Sequence, residues 1–237
     1  MFNGKNKALT FSYDDGVRQD ARLAEIFNRY GMKCTFNLNS GLLDPKNRWV
    51  YRGADCIHMT ADEIKKSLAG HEIAVHGVKH LNLKELSKEE KEYELLRDKK
   101  NLKEVFGVSV KGMAYAFGAF DEETKAIAKS GGLNFARTVR PTLNFDLQTD
   151  LLEFDPTCHH NEKSLFELGE KVLSLPDDKP ALFYVWGHSY EFDGDNNWDV
   201  IEDFCRMMHG KENIFYGTNS EVFMLKQAVD TKAVSLI

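Results

Sequence analysis

The chain has 237 residues, 42% hydrophobic and 29% charged, with a formal net charge of −6. That length fits one large α/β unit, so we draw a single domain over residues 1–237, and that composition excludes a disordered or fibrous chain. An acidic chain without a basic patch is not built for nucleic acid or an anionic membrane surface, and its apolar runs fall far short of the roughly 18 residues a membrane span requires.

In chain order, Ala8–Tyr13 reads as a first strand. Leu23, Ile26, Phe27 and Tyr30 then share one helical face that stops at Gly31, and Lys33–Leu38 reads as a second strand. Thr60 with Glu63 forms a capping box ahead of a helix ending near Gly70, and a strand follows over Glu72–Val75. Ser87 with Glu90 repeats that signature and opens a Lys/Glu-rich helix to Phe106. Its Tyr93, Leu96 and Leu102 make a partial inner stripe, and its charges read as a solvated face without functional weight. Strands over Val110–Phe117 and Leu133–Val139 flank a helix capped by Asp121. Leu152–Pro156, Ala181–Trp186 and, more weakly, Asn213–Gly217 complete the strands, while helices fit Lys163–Leu175, Trp198–Met208 and Ser220–Val229. Alternating strands and helices predict a parallel α/β sheet, which seven or eight such units most economically close into a barrel. Functional groups should then gather at the strand C-termini.

Two segments meet that expectation with metal-binding chemistry. LTFSYDDG ends the first strand on Asp14 and Asp15, and IAVHGVKHLNL places His76 and His80 at the end of another. A catalytic zinc-type site takes three ligands from His, Asp or Glu, and Asp15, His76 and His80 fit that requirement, with Asp14 as the base that the attacking water still needs. Neighbouring residues on a regular strand face opposite ways, so both carboxylates converge only if the strand ends there, with Gly16 easing the turn. Either motif alone reads as readily as a capped turn or a chance pair of histidines; together, at two strand ends, they read as one site. A third segment, YVWGHSYEF, puts His188 at another strand end, where an imidazole can protonate a departing amine.

These residues resemble the polysaccharide deacetylase family, also called the NodB-homology or carbohydrate esterase family 4 group, from TFSYDDG to WGHSYEF. The resemblance implies a distorted (β/α) barrel that removes acyl groups from N-acetylated sugars with a divalent metal, commonly zinc. It also implies Asp14 as base, Asp15, His76 and His80 as ligands, and His188 as general acid. Gly77 stands where the family's His-(Ser/Thr)-x-x-His motif has a hydroxyl residue. The third motif usually holds an arginine that orients the base, and MAYAFGAF has Ala114 there. Arg137, at the end of the following strand, is the candidate replacement, against the plainer reading of a structural salt bridge. The fourth motif is not recognisable; DPTCHH stands near that point, and its His159 and His160 read as loop histidines or as pocket or extra metal contacts. Trp186, Tyr190 and Trp198 cluster around His188 and could pack on a sugar ring or simply on one another.

The resulting expectation is a metal-dependent hydrolase of non-peptide carbon–nitrogen bonds, deacetylating an N-acetylated sugar or oligosaccharide. The metal would be zinc, with Co2+, Ni2+ or Mn2+ as alternatives. Cyclic imide or ureide hydrolysis on the same site and a non-catalytic carbohydrate-binding role are the competing readings. MFNGKNKALTF carries no apolar signal stretch, and Cys34, Cys56, Cys158 and Cys205 form no CxxC pair, so a cytoplasmic protein with reduced thiols is expected.

Overall fold

A computed structural model describes residues 1–224. Among these, the strands are β1 (Lys7–Asp14), β2 (Cys34–Leu38), β3 (Arg48–Tyr51), β4 (Ala54–Ile57), β5 (Glu72–Val75), β6 (Gly112–Ala114), β7 (Phe135–Arg137), β8 (Cys158–His159), β9 (Ala181–Gly187) and β10 (Ile214–Tyr216). The helices are α1 (Gln19–Arg29), α2 (Ala61–Ser67), α3 (Lys88–Glu92), α4 (Asp98–Phe106), α5 (Glu122–Ser130), α6 (Leu165–Ser174), α7 (Tyr190–Gly194) and α8 (Trp198–Met208). Eight strands form one parallel sheet in the order β7-β6-β5-β2-β1-β9-β8, and β10 shares an edge of β1 with β2. The sheet curls, and the segment after β7 carries it round. Phe154 exchanges backbone hydrogen bonds with Ala136 and Thr138, and Thr157 and His160 then bond to Tyr184 and Trp186 of β9. The barrel is thus distorted, with a single bridge where a ladder would close it.

Every residue of β1 is buried, and its pleat sorts them. Leu9, Phe11 and Tyr13 enter the main core between sheet and helices, with Phe36 of β2 and Phe183 of β9. Ala8, Thr10, Ser12 and Asp14 occupy the alternate positions, which face into the barrel. The inner space changes character along its axis. Its lower part is apolar, filled by Ala8, Phe135, Leu182, Tyr184 and Phe223. Its upper part is polar, with Ser12 and Asn37 hydrogen-bonded to each other below Asp14.

Several sequence expectations need correction. Leu152–Pro156 is not a strand: Asp150 caps a single 3-10 turn at Leu151–Glu153, and only Phe154 bridges to Arg137. Val110–Phe117 shortens to β6, because Phe117 and Gly118 both turn into the left-handed region. The β3–β4 antiparallel hairpin was not anticipated; its turn uses Arg52 and Gly53, both at positive φ, as a tight two-residue hairpin demands. The Lys/Glu-rich helix is continuous from α3 into α4 but passes through a π turn at Tyr93–Arg97. That turn shifts the buried face, so Tyr93 is 53% exposed while Glu94, Leu95 and Asp98 are buried. Its charges are therefore not all solvated. The expected helix over Ser220–Val229 starts within the helical residues 219–224, and its remainder lies outside the described residues. The four cysteines are buried and unpaired, and among the described residues no helix is long and apolar enough to cross a membrane.

His71, just before β5, packs its ring against Phe36, and its Nδ1 accepts a hydrogen bond from the Cys34 amide. Burial, and then the charge of Lys33, push this imidazole down to about 4. It folds neutral but titrates near ~6.5 in the unfolded chain, so its contribution is complete above that pH and disappears as pH falls toward 4. The urea midpoint of the wild type should therefore drop more between neutral pH and pH ~4.5 than that of His71→Gln. Equal drops would refute this assignment.

Candidate active site

Asp14 is the last residue of β1, and the strand ends there as the two-carboxylate reading requires. Asp15 adopts φ 84° and Gly16 φ 71°, a left-handed pair that swings the second carboxylate to the same mouth as the first. The Asp15 amide is fixed to the Asn37 carbonyl of β2 at 3.0 Å. Asp15 Oδ1 stands 3.7 Å from His76 Nε2 and 3.6 Å from His80 Nε2.

The histidine segment is held from below by the π-interrupted helix. Asp98 accepts hydrogen bonds from the Ser40 and His76 amides, and Glu94 accepts one from the Lys79 amide. Asn39 donates to the carbonyls of His76 and Gly77. Gly77 has φ 88°, and a Cβ there would lie 3.0 Å from the Glu94 carboxylate, which accounts for glycine where a hydroxyl residue was expected. The His76 ring Nδ1 faces the Ala114 carbonyl at 2.8 Å, which makes Nδ1 the protonated nitrogen and leaves the Nε2 lone pair toward Asp15. Burial, with His76 beside it, pushes His80 down to about 4, so it too offers a lone pair. One carboxylate oxygen and two imidazole nitrogens within 4.8 Å of one another, with one ring held from behind, fit a zinc-type ion.

Asp14 is 2% exposed and Arg137 1%. Arg137 Nη2 donates to Asp14 Oδ1 at 2.6 Å and also to Oδ2, while its Nε donates to Ser12 and its guanidinium lies 4.4 Å above the Trp186 ring. Burial alone would raise the Asp14 pKa, but Arg137, with His76 and His188, outweighs it and holds the group well below the usual carboxylate range. The ladder explains how an arginine reaches this carboxylate although position 114 is alanine. Ala114 of β6 and Arg137 of β7 are direct register partners, so the charge sits one strand over at the same height.

His188 follows β9, with Nε2 3.9 Å from Asp14 Oδ2 and its ring stacked on Tyr190. Its Nδ1 is 3.4 Å from Glu191 Oε1. Burial would lower its pKa, but Glu191, Asp15 and Asp14 outweigh it and push it up to about 9. Glu191 was missed by the sequence reading, although its place three residues after His188 puts it on the same face of a helical turn. Asp20 was missed too; it is fully buried and accepts a hydrogen bond from Ser189, fixing the residue next to His188. His160 lies in the turn after β8 but not on the surface: it is fully buried, stacked between Tyr13 and Phe192. His159 is partly exposed against the edge of Trp186.

Beside the site lies a cavity of about 350 Å³ lined by Asp15, His80, Lys79, His58, Trp49 and Tyr190. The β3–β4 hairpin supplies Trp49, whose ring meets Tyr190 edge-on at 5.3 Å. Tyr190 thus faces the cavity, whereas Trp186 lies under Arg137 and Trp198 packs on Phe192.

The sequence model of the polysaccharide deacetylase family matches residues 3–136, more than half of the chain, and the protein belongs to that family. Bacillus subtilis (strain 168) YxkH, named for the same family, is 25% identical over 138 residues, 57% of this chain and 46% of that protein. The chain thus matches about half the length of this relative. Among solved structures, a Mycobacterium smegmatis protein named for the family has a TM-score of 0.67 at 16% identity, covering 96% of this chain and 92% of its own. A family 4 carbohydrate esterase from Streptomyces lividans, solved with acetate, gives 0.61 at 14% identity, over 92% and 95% of the two chains. A Bacillus anthracis protein described as a carbohydrate esterase family 4 pseudoenzyme gives 0.59 at 17% identity, over 91% and 65%. At these identities the structures establish a shared fold.

Removing the Arg137 side chain would leave a buried carboxylate without its partner. Arg137→Ala should cost about 3–5 kcal/mol of stability in urea unfolding at neutral pH, and adding Asp14→Asn should recover part of that loss. A cost below about 1 kcal/mol would mean the pair behaves like a surface ion pair.

Proposed function

We propose that the protein is a metal-dependent hydrolase of non-peptide carbon–nitrogen bonds that deacetylates an N-acetylated sugar or short oligosaccharide. The observation that carries this reading is the position of Asp14, between the Arg137 guanidinium and the His188 imidazole and facing the Asp15, His76 and His80 ligand set. Family membership supports the same chemistry.

Asp15, His76 and His80 would hold the ion, with zinc the best match to their donor atoms. When bound, the ion would polarise the acyl oxygen and acidify a water enough for so weakly basic a carboxylate to take its proton. Asp14 accepts that proton at Oδ2, the oxygen turned toward His76 and His188. Arg137 keeps Asp14 ionised and fixes its plane through two N–H contacts, and Asn37 holds Oδ1 from the other side. His188 gives its Nε2 proton to the departing nitrogen, and Glu191 faces the opposite ring nitrogen, which favours the charged imidazole. Tyr190 and Trp49 supply aromatic surface for the substrate, and Lys79 and His58 polar contacts.

The cavity is near the small end of ligand sites, which run from about 300 to 1,000 Å³, so it suits one sugar unit or a small cyclic amide. This favours keeping cyclic imides and ureides as the competing substrates. Metal-loaded protein should release acetate from N-acetylated mono- or oligosaccharides. Asp14→Asn should lose about 10²–10⁴-fold in kcat while keeping its metal content. Cleavage of cyclic amides alone would move the substrate class, unchanged turnover in Asp14→Asn would remove Asp14 from the base role, and silence across both substrate classes would favour a non-catalytic carbohydrate-binding protein.

A further inference from the structure

The group behind His188 holds more ligand atoms than an acid and its carboxylate partner require. Glu191 Oε2 stands 3.1 Å from both His159 Nε2 and His160 Nε2, and Oε1 stands 3.4 Å from His188 Nδ1. Despite this closeness, Glu191 Oε2, His160 Nε2 and His188 Nδ1 are buried atoms without a directed hydrogen bond among the described residues. Charge-assisted N–H···O contacts close to about 2.7–2.9 Å, and these do not. The spacing matches another geometry. A carboxylate whose Oε2 approaches one ring nitrogen and whose Oε1 approaches another is placed to share an ion with both rings. The ligand atoms of His159, His188 and Glu191 all fall within 4.8 Å of one another.

We infer that His159, His188 and Glu191 form a second divalent-cation site, for zinc or a similar ion, separate from the one formed by Asp15, His76 and His80, and that filling it slows turnover. Entry is open, because His159 and His188 keep 24% and 22% of their side-chain surface exposed, leaving room for water as a further ligand. His160 lies outside the triad but stacks between Tyr13 and Phe192, with Nε2 against the Glu191 carboxylate, and so fixes one side of it. The effect on turnover rests on the acid role proposed above for His188. That ring has two faces, with Nε2 toward Asp14 and Nδ1 toward Glu191. An ion on Nδ1 prevents the ring from becoming the doubly protonated imidazolium, the form that readily gives up a proton. The two sites thus act in opposite directions through residues less than 4 Å apart.

The test is a zinc count on metal-stripped full-length protein after re-equilibration with Zn2+, for the wild type, His80→Ala, His159→Ala and His159→Gln. The second His159 variant guards against loss of fold, which circular dichroism monitors. Two ions per wild-type chain and one in each folded variant are expected. Acetate release should rise with the first equivalent of zinc and fall with the second, and the His159 variants should need about 10–100-fold more zinc for that fall. A single ion lost in His80→Ala but kept in the His159 variants overturns the second site and leaves the deacetylase reading intact. A single ion lost in the His159 variants but kept in His80→Ala upholds the site described here and removes the ligand set on which that reading depends. Two ions with no fall in turnover overturn the inhibitory role.

Discussion

A carboxylate sealed at the end of β1 must be kept charged, and most of the mouth of the barrel is arranged around that demand. Asp14 is almost wholly buried, so its charge is carried chiefly by Arg137, while Asn37 donates to its Oδ1. Arg137 is in turn buried, and its other N–H groups go to Ser12 and the Thr138 carbonyl while its face rests on Trp186. Two buried ions are tolerable only when every such position is filled. The consequence reaches β7, which the ion pair ties to β1 across the barrel without any shared ladder, and β9, whose Trp186 ring lies under the guanidinium.

The histidine side of the mouth depends on a different device. Asp15 and His80 both sit at positive φ, a conformation that costs a non-glycine residue stability and persists only when its surroundings enforce it. Enforcement comes from the Asn37 backbone carbonyl, which holds the Asp15 amide, and from the Asn39, Glu94 and Asp98 side chains, which hydrogen-bond backbone groups of the histidine loop. The site is thus held by backbone contacts to its loops, and few of these partners touch the ligand side chains themselves.

This division explains what could be read without coordinates. Strand Ala181–Trp186 announces itself by a continuous apolar run, Ala8–Tyr13 by Leu9, Phe11 and Tyr13 at alternate positions, and helix Trp198–Met208 by its periodicity, because local physics decides them. Asp14, Asp15, His76, His80 and His188 stood out because the proposed metal and acid–base chemistry restricts residue type and because each ends or follows a strand; the structure brings all five to one mouth. Arg137 was legible only as a guess, since the ladder pairing that puts it beside Ala114 is a long-range fact. Glu94 and Asp98 were hidden because a buried carboxylate looks like a solvated one in a Lys/Glu-rich stretch, and Asp20 because an acidic residue in a first helical turn reads as an exposed one; only tertiary packing separates them. The hairpin that walls the cavity was hidden for a related reason: its exposure alternates, and the first residue of its turn is Arg52, not the Asn, Asp or Gly that usually precedes the glycine at the second position.

The π turn between α3 and α4 places two of those carboxylates, Glu94 and Asp98, under opposite ends of the same loop. A π turn is an α-helix with one extra residue in the winding, and each residue advances the helical face by about 100°. The segment from Tyr93 to Arg97 therefore works as a fixed gear between the helix and the ligand loop, with a tooth count that point substitutions preserve. Chain-length changes there are another matter: one residue added or removed turns everything downstream by more than a quarter of a revolution, carrying Asp98 out from under His76 while leaving Glu94 where it was. In lineages that carry this turn, drift should accordingly favour exchange of residues in the segment over any change in their number.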